Sequence, residues 1–155
     1  MEKQKFLVSV IGGHKCGSRI AGLAEQIGAA IAREGAVLVC GGLGGIMEAA
    51  CRGARGAGGL TIGIIPGENK SSANRFVDIV IPTGMGFSRN ALVAGSGDLI
   101  VALPGEYGTL SEISFALIGH KPVYGFDTWA IDGVTRLKNV DELRDILKRF
   151  RGRNT

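Results

Sequence analysis

Short apolar runs alternate along this chain with longer stretches in which apolar residues recur every three or four positions. Residues 5–11 (KFLVSVI), 36–40 (AVLVC), 60–65 (LTIGII), 77–81 (VDIVI), 98–103 (DLIVAL) and 122–126 (PVYGF) read as six strands. Their β-branched, nearly continuous apolar character is that of strands covered on both faces. Within residues 18–34, Ile20, Leu23, Ala24, Ile27, Ala30 and Ile31 fall at helical spacing, with Ser18 as the expected N-cap and Gly35 as the expected terminator. Further helices are predicted over residues 44–56, 86–97, from the turn at 104–108 to about 119, and 140–150, with a polar loop at 67–76.

Strands separated by helices of this length form βαβ units, and their right-handed crossovers build a parallel sheet with helices on both faces. The expected fold is a Rossmann-like, doubly wound α/β sheet, mostly parallel, forming a single three-layer domain over residues 1–155. Ligands of such sheets lie beyond the carboxyl ends of the strands. The loops there, residues 12–17, 41–45, 83–86 and 104–108, hold the glycine clusters. Glycine lets backbone approach an anion closely, and the next helix start adds N–H donors and a partial positive charge. A phosphate is therefore the expected guest.

Two familiar phosphate loops are excluded. The first loop has the GxxxxG spacing of a P-loop, but Ser18 and Arg19 stand where Lys and Ser or Thr should follow. The second misses GxGxxG, because Met47 occupies the third glycine position and Pro66 lies where an acid should end the next strand. This argues against a conventional dinucleotide dehydrogenase.

Composition narrows the class further. Of 155 residues, 45% are hydrophobic and 21% charged, with no apolar run near the ~18 that a membrane helix requires. No signal peptide is visible, and three unevenly spaced cysteines without CxxC point to a reducing compartment, the cytoplasm. Much of the +4 net charge falls after residue 135, where it reads as the solvated face of a terminal helix. Without an aromatic platform it argues against nucleic acid as partner. His14 and His120 lack companion ligands, so no metal site is expected, although His14 can donate to a ligand from the first loop. Cys40 reads as a small buried hydrophobe, and Tyr124 and Trp129 as packing residues.

The fifth-strand loop has a specific form. Pro104-Gly105-Glu106-Tyr107-Gly108-Thr109-Leu110-Ser111-Glu112 combines a rigid strand end, a glycine turn, a hydroxyl at the helix start and a carboxylate one turn inward. It resembles the PGGxGTxxE motif of the LOG family, formerly labelled lysine decarboxylases, within a superfamily that includes molybdenum-cofactor carrier proteins. Cys40-Gly41-Gly42-Leu43-Gly44-Gly45-Ile46-Met47 is similar to that family's GGGxxGxM, and Arg89 sits where its Arg-Lys pair begins.

The resemblance implies either of two activities. In LOG enzymes an arginine and the motif glutamate, here Arg89 and Glu112, serve hydrolysis of the N-glycosidic bond of a nucleoside 5′-monophosphate. In the carrier branch a phosphorylated pterin is held unchanged, and no cofactor is required. A third reading is a module that senses a nucleotide through its oligomeric state. The implied ligand residues are Gly12, Gly13, Gly41, Gly42, Gly45, Met47, Arg89, Gly105, Tyr107, Gly108, Thr109 and Glu112, around a nucleoside monophosphate or pterin phosphate. Three positions depart from the family pattern: Glu106 and Cys40 replace motif glycines, and Asn90 replaces the lysine. The short chain and the segment Gly86-Phe87-Ser88-Arg89-Asn90 look more like the carrier branch. Tyr107 either stacks on a ligand ring or covers a neighbouring subunit. The small-residue helix at 44–56 is the expected contact of a homo-oligomer, a dimer or tetramer.

Overall fold

The computed structural model describes residues 4–153. In chain order these form β1 (Leu7–Ile11), α1 (Ser18–Arg33), β2 (Val37–Cys40), α2 (Ile46–Gly56), β3 (Thr61–Ile65), β4 (Ile79–Pro82), α3 (Asn90–Ser96), β5 (Leu99–Ala102), α4 (Tyr107–Ile118), β6 (Val123–Gly125), β7 (Val134–Arg136) and α5 (Val140–Arg153). The strands make one sheet in the order β4-β3-β2-β1-β5-β6-β7, and every pairing is parallel. Strand order reverses between β1 and β5, so the loops after these two strands meet at the switch point. Gly13 N–H donates to the Pro104 carbonyl there at 2.9 Å.

Register decides which side chains share a face. Val8 pairs with Leu38 and Leu99, and all three point into a core closed by Ile27 and Ile31 of α1, Ala50 of α2 and Leu143 and Leu147 of α5. One position on, Val39 and Ile100 face the opposite side, where Val93 and Ala94 of α3 and Ile113 and Ala116 of α4 form a smaller core. The result is three layers. Ser9 also faces this second core and satisfies its hydroxyl by donating to the Val93 carbonyl at 2.6 Å.

The structure departs from the sequence expectation in several places. Gly17, not Ser18, occupies the N-cap of α1, with no side-chain cap bond. The fourth strand begins at Ile79 because Asp78 is engaged as an acceptor for Thr61 N–H and Oγ1, at 3.0 and 3.1 Å. The helix expected over 86–97 is split into a 3-10 turn at Gly86–Arg89, entered through a positive φ at Gly86, and the shorter α3. The edge strand β7 is additional.

The small-residue helix α2 packs inside the molecule. A side chain at Gly53 would strike the Glu25 carbonyl of α1, and one at Gly28 the Ala50 carbonyl of α2. These glycines let two helix backbones touch, so the small residues of this helix serve an intramolecular α1–α2 contact. In α5, Arg144 pairs with Asp141 at 2.7 Å and Arg151 with Glu34 at 3.5 Å, as solvated ion pairs. Among the described residues no helix is long and apolar enough to cross a membrane.

Candidate functional site

At the carboxyl ends of the strands lies a cavity of about 660 Å³. Gly12, Gly13 and His14 reach it from the loop after β1, Leu43 and Met47 from the β2–α2 junction, and Phe87, Arg89 and Asn90 from the turn before α3. Glu106, Tyr107, Gly108, Thr109, Ser111 and Glu112 supply the wall formed by the start of α4. The segments around residues 43 and 107 thus border one space.

Four expected residues stand behind this wall. Gly41 lies against the Arg89 guanidinium, where an added Cβ would be 2.7 Å from Nη2. Gly42 and Gly45 both have positive φ and press on Gly63 of β3 and on the His14 backbone. Gly105 abuts the Thr109 side chain and the Gly13 nitrogen. Their glycine character is used to bring loops together rather than to face the cavity.

Thr109 is the third residue of α4, and Glu106 occupies the N-cap without a side-chain cap bond. The first intrahelical bond of this end runs from Leu110 N–H to the Glu106 carbonyl at 3.0 Å. The N–H groups of Tyr107, Gly108 and Thr109 therefore have no partner within the helix, and the positive end of the helix dipole adds to them.

Arg89 is held rather than free. Its Nε donates to the Ile64 carbonyl at 2.8 Å, Nη2 to the Gly41 carbonyl at 3.3 Å, and Nη1 to Asn90 Oδ1. Asn90 passes the constraint on, its Nδ2 donating to Ser111 Oγ at 3.0 Å, while Ser111 Oγ donates to the Gly108 carbonyl at 2.6 Å. The guanidinium, the α3 entrance and the first turn of α4 are one hydrogen-bonded unit. Asp98, just past the end of α3, takes no part in this unit and accepts from Leu7 N–H at 2.8 Å.

Glu112 is 7% exposed and its carboxyl has no hydrogen-bond partner among the described residues. Burial pushes its pKa up to about 8, against the opposing pull of Arg89. Burial likewise lowers the Arg89 pKa, and the Glu112 charge works the other way. Burial thus favours the protonated carboxyl, and the Arg89 charge opposes it.

Cys40 is fully buried under the loop, as expected of a small hydrophobe, with its Sγ 3.5 Å from Cys51 Sγ and accepting from Gly42 N–H at 3.3 Å. The contact with Cys51 is the main cause lowering the Cys40 pKa, and it raises that of Cys51. All three cysteines are free.

Sequence reasoning missed Leu43, Pro66 and Ser111 as lining residues. Leu43 sits inside the glycine motif and Ser111 one turn into α4, so motif spacing held a signal for both; Pro66 carries none. Trp129, expected to pack, is 36% exposed and stacks on Tyr107.

The SLOG cluster4 family matches residues 5–149, and the chain belongs to that family. An uncharacterized protein of Archaeoglobus fulgidus is 44% identical over 110 residues, 71% of this chain and 72% of the relative. A cytokinin riboside 5′-monophosphate phosphoribohydrolase of Mycobacterium tuberculosis is 37% identical over 123 residues, 72% of this chain but 65% of that enzyme's length. Among solved structures, the molybdenum cofactor binding protein of Rippkaea orientalis superposes with a TM-score of 0.88 at 34% identity, covering 95% of this chain and 98% of that one. The Moco carrier protein of Chlamydomonas reinhardtii gives 0.86 at 30% identity, covering 97% and 99%. The resemblance to both LOG enzymes and cofactor carriers holds.

Proposed function

We propose that the cavity at the strand carboxyl ends binds a phosphorylated, nucleotide-like or pterin-type small molecule. The observation that carries this reading is the convergence of four loops on one cavity whose wall includes the uncapped N–H groups of Tyr107, Gly108 and Thr109. The phosphate lies against those donors and the Gly12–Gly13 turn. The ring lies among Leu43, Met47 and Phe87, which are apolar, and Arg89 and Glu112 take the polar middle of the ligand. Molybdenum-cofactor-type pterins enter here as cargo, in keeping with the carrier proteins of similar fold and length. The test is a calorimetric panel of nucleoside monophosphates and pterin phosphates. Micromolar binding that Gly108→Asp abolishes supports the reading; no binding tighter than about millimolar sinks it.

A second reading, nucleoside 5′-monophosphate phosphoribohydrolase, is favoured specifically by the buried Glu112. A carboxyl with pKa raised to about 8 can give its proton to the departing base nitrogen while water adds to C1′ of the ribose, yielding free base and ribose 5-phosphate. Arg89 orients the carboxyl and substrate. Release of adenine from AMP, abolished by Glu112→Gln, supports it, and turnover that survives the substitution removes Glu112 as the acid.

We assign the oligomer contact to the outer face of α3 and α4, where Leu92, Phe115 and Ile118 are exposed, Ile118 by 74%. α3 carries no charged residue, and the one in α4 is the buried Glu112, so a second copy related by a two-fold axis covers this face without burying an ion. Sedimentation of an Ile118→Glu variant as a monomer, with the parent a dimer or tetramer, tests this. The free thiols support a cytoplasmic location.

A further inference from the structure

The wall of the cavity continues past Tyr107 through a second ring. Trp129, in the connection between β6 and β7, stacks on Tyr107 with centroids 6.3 Å apart and planes inclined by 28°. Beyond Trp129 is a separate hollow of about 280 Å³, bordered by Thr128, Asp132 and Arg136. The connection is tied to the phosphate-loop strand: Thr128 Oγ1 donates to the Leu103 carbonyl at 2.9 Å, immediately before Pro104. Asp127 enters it with φ of 47°, a left-handed conformation that costs a non-glycine residue energy. A costly turn and an anchoring bond hold Trp129 at this place.

The uncapped start of α4 therefore stands between two hollows, with the Tyr107–Trp129 pair between them. We propose that the hollow beyond Trp129 is a second ligand subsite, and that the protein takes a dinucleotide-type ligand, two heterocyclic nucleosides joined through a pyrophosphate. One half occupies the main cavity, the bridging phosphates meet the α4 N-terminus, and the other half crosses the aromatic pair. This rests on the reading of the main cavity given above.

Two features support the class. Asp132 can accept hydrogen bonds, Arg136 can donate them and Thr128 Oγ1, its proton given to Leu103, can accept, which complements the mixed edge of a heterocycle, while a hollow of about 280 Å³ is near the lower end of small-ligand size. The geometry differs from that of a usual dinucleotide site, because the helix start used is that of α4 and not the one following β1.

The chain has one tryptophan, so its fluorescence reports on the Tyr107–Trp129 pair between the two hollows. The experiment titrates full-length protein with AMP, NAD⁺ and FAD, which share the AMP half, by calorimetry and by Trp129 emission. NAD⁺ or FAD is expected to bind at least about tenfold tighter than AMP and to change the emission more than AMP does. Arg136→Ala, which touches no part of the main cavity, is expected to remove the advantage and leave AMP binding intact. If AMP binds and neither dinucleotide binds tighter, the second subsite is overturned and the main-cavity reading stands. If neither AMP nor any dinucleotide binds, the second subsite falls, and the pterin phosphates of the calorimetric panel decide the main cavity.

Discussion

Replacing Glu112 by glutamine keeps the shape of the side chain and removes its titration. The folded carboxyl has a pKa raised by burial to about 8, against a reference of 4.5. Its protonated form is therefore the one the native state favours. Stability linked to this group is fully present below pH 4.5 and declines as pH rises through about 8. A shift of this size corresponds to about 5 kcal/mol between the two ends of the window, at 1.36 kcal/mol per unit. That is a large part of the ~5–15 kcal/mol by which a domain is stable. Arg89 keeps its bonds to Ile64, Gly41 and Asn90 in the variant, so the guanidinium stays paired. Guanidinium unfolding of parent and Glu112→Gln protein between about pH 4 and pH 9 measures the difference directly. The two should coincide at the acid end, with the variant gaining progressively and levelling off above pH 8. A stability difference independent of pH would refute the burial argument and, with it, Glu112 as a proton donor near neutrality.

The α1–α2 contact predicts opposite signs for one chemical change. Gly53→Ala should destabilise by roughly 1–3 kcal/mol because its Cβ meets the Glu25 carbonyl, whereas Gly22→Ala, on open surface of α1, should stabilise by about 0.5–1 kcal/mol; thermal denaturation of both decides. Asn90→Ala removes an acceptor from Arg89 and a donor to Ser111, and should cost about 1–3 kcal/mol in stability and at least about tenfold in ligand affinity. Retained affinity would mean that Arg89 does not depend on this link. Asn90→Lys should cost more stability than an exposed lysine substitution, because position 90 is 2% exposed in this chain.

Much of this molecule is legible along the chain because its strands are buried on both faces. Residues 7–11, 37–40 and 99–102 are central, so pairing and burial act together and their apolar runs are interrupted only by Ser9. Legibility falls at the edge. β7 is three residues, VTR, with only one apolar side chain, and is held by pairing with β6 rather than by its own pattern. At the site, the motif residues marked where the loops would meet, yet not what each would do there. A glycine in sequence does not say whether it faces a ligand or lets another backbone approach, and Gly41, Gly42, Gly45 and Gly105 do the second. The split of the helix after β4 and the stacking of Trp129 on Tyr107 depend on neighbours distant in the chain, which no local periodicity encodes.

The meeting of the loops in one anion-binding cup is tested most directly by following backbone amide resonances of ¹⁵N-labelled protein while AMP is added. Shifts should concentrate at Gly12, Gly13, Met47, Arg89, Gly108 and Thr109, with the largest at the start of α4. Shifts confined to the basic groove of Arg33, Arg52 and Arg144, which lies between α1 and α2, or none at all at saturating AMP, would contradict it.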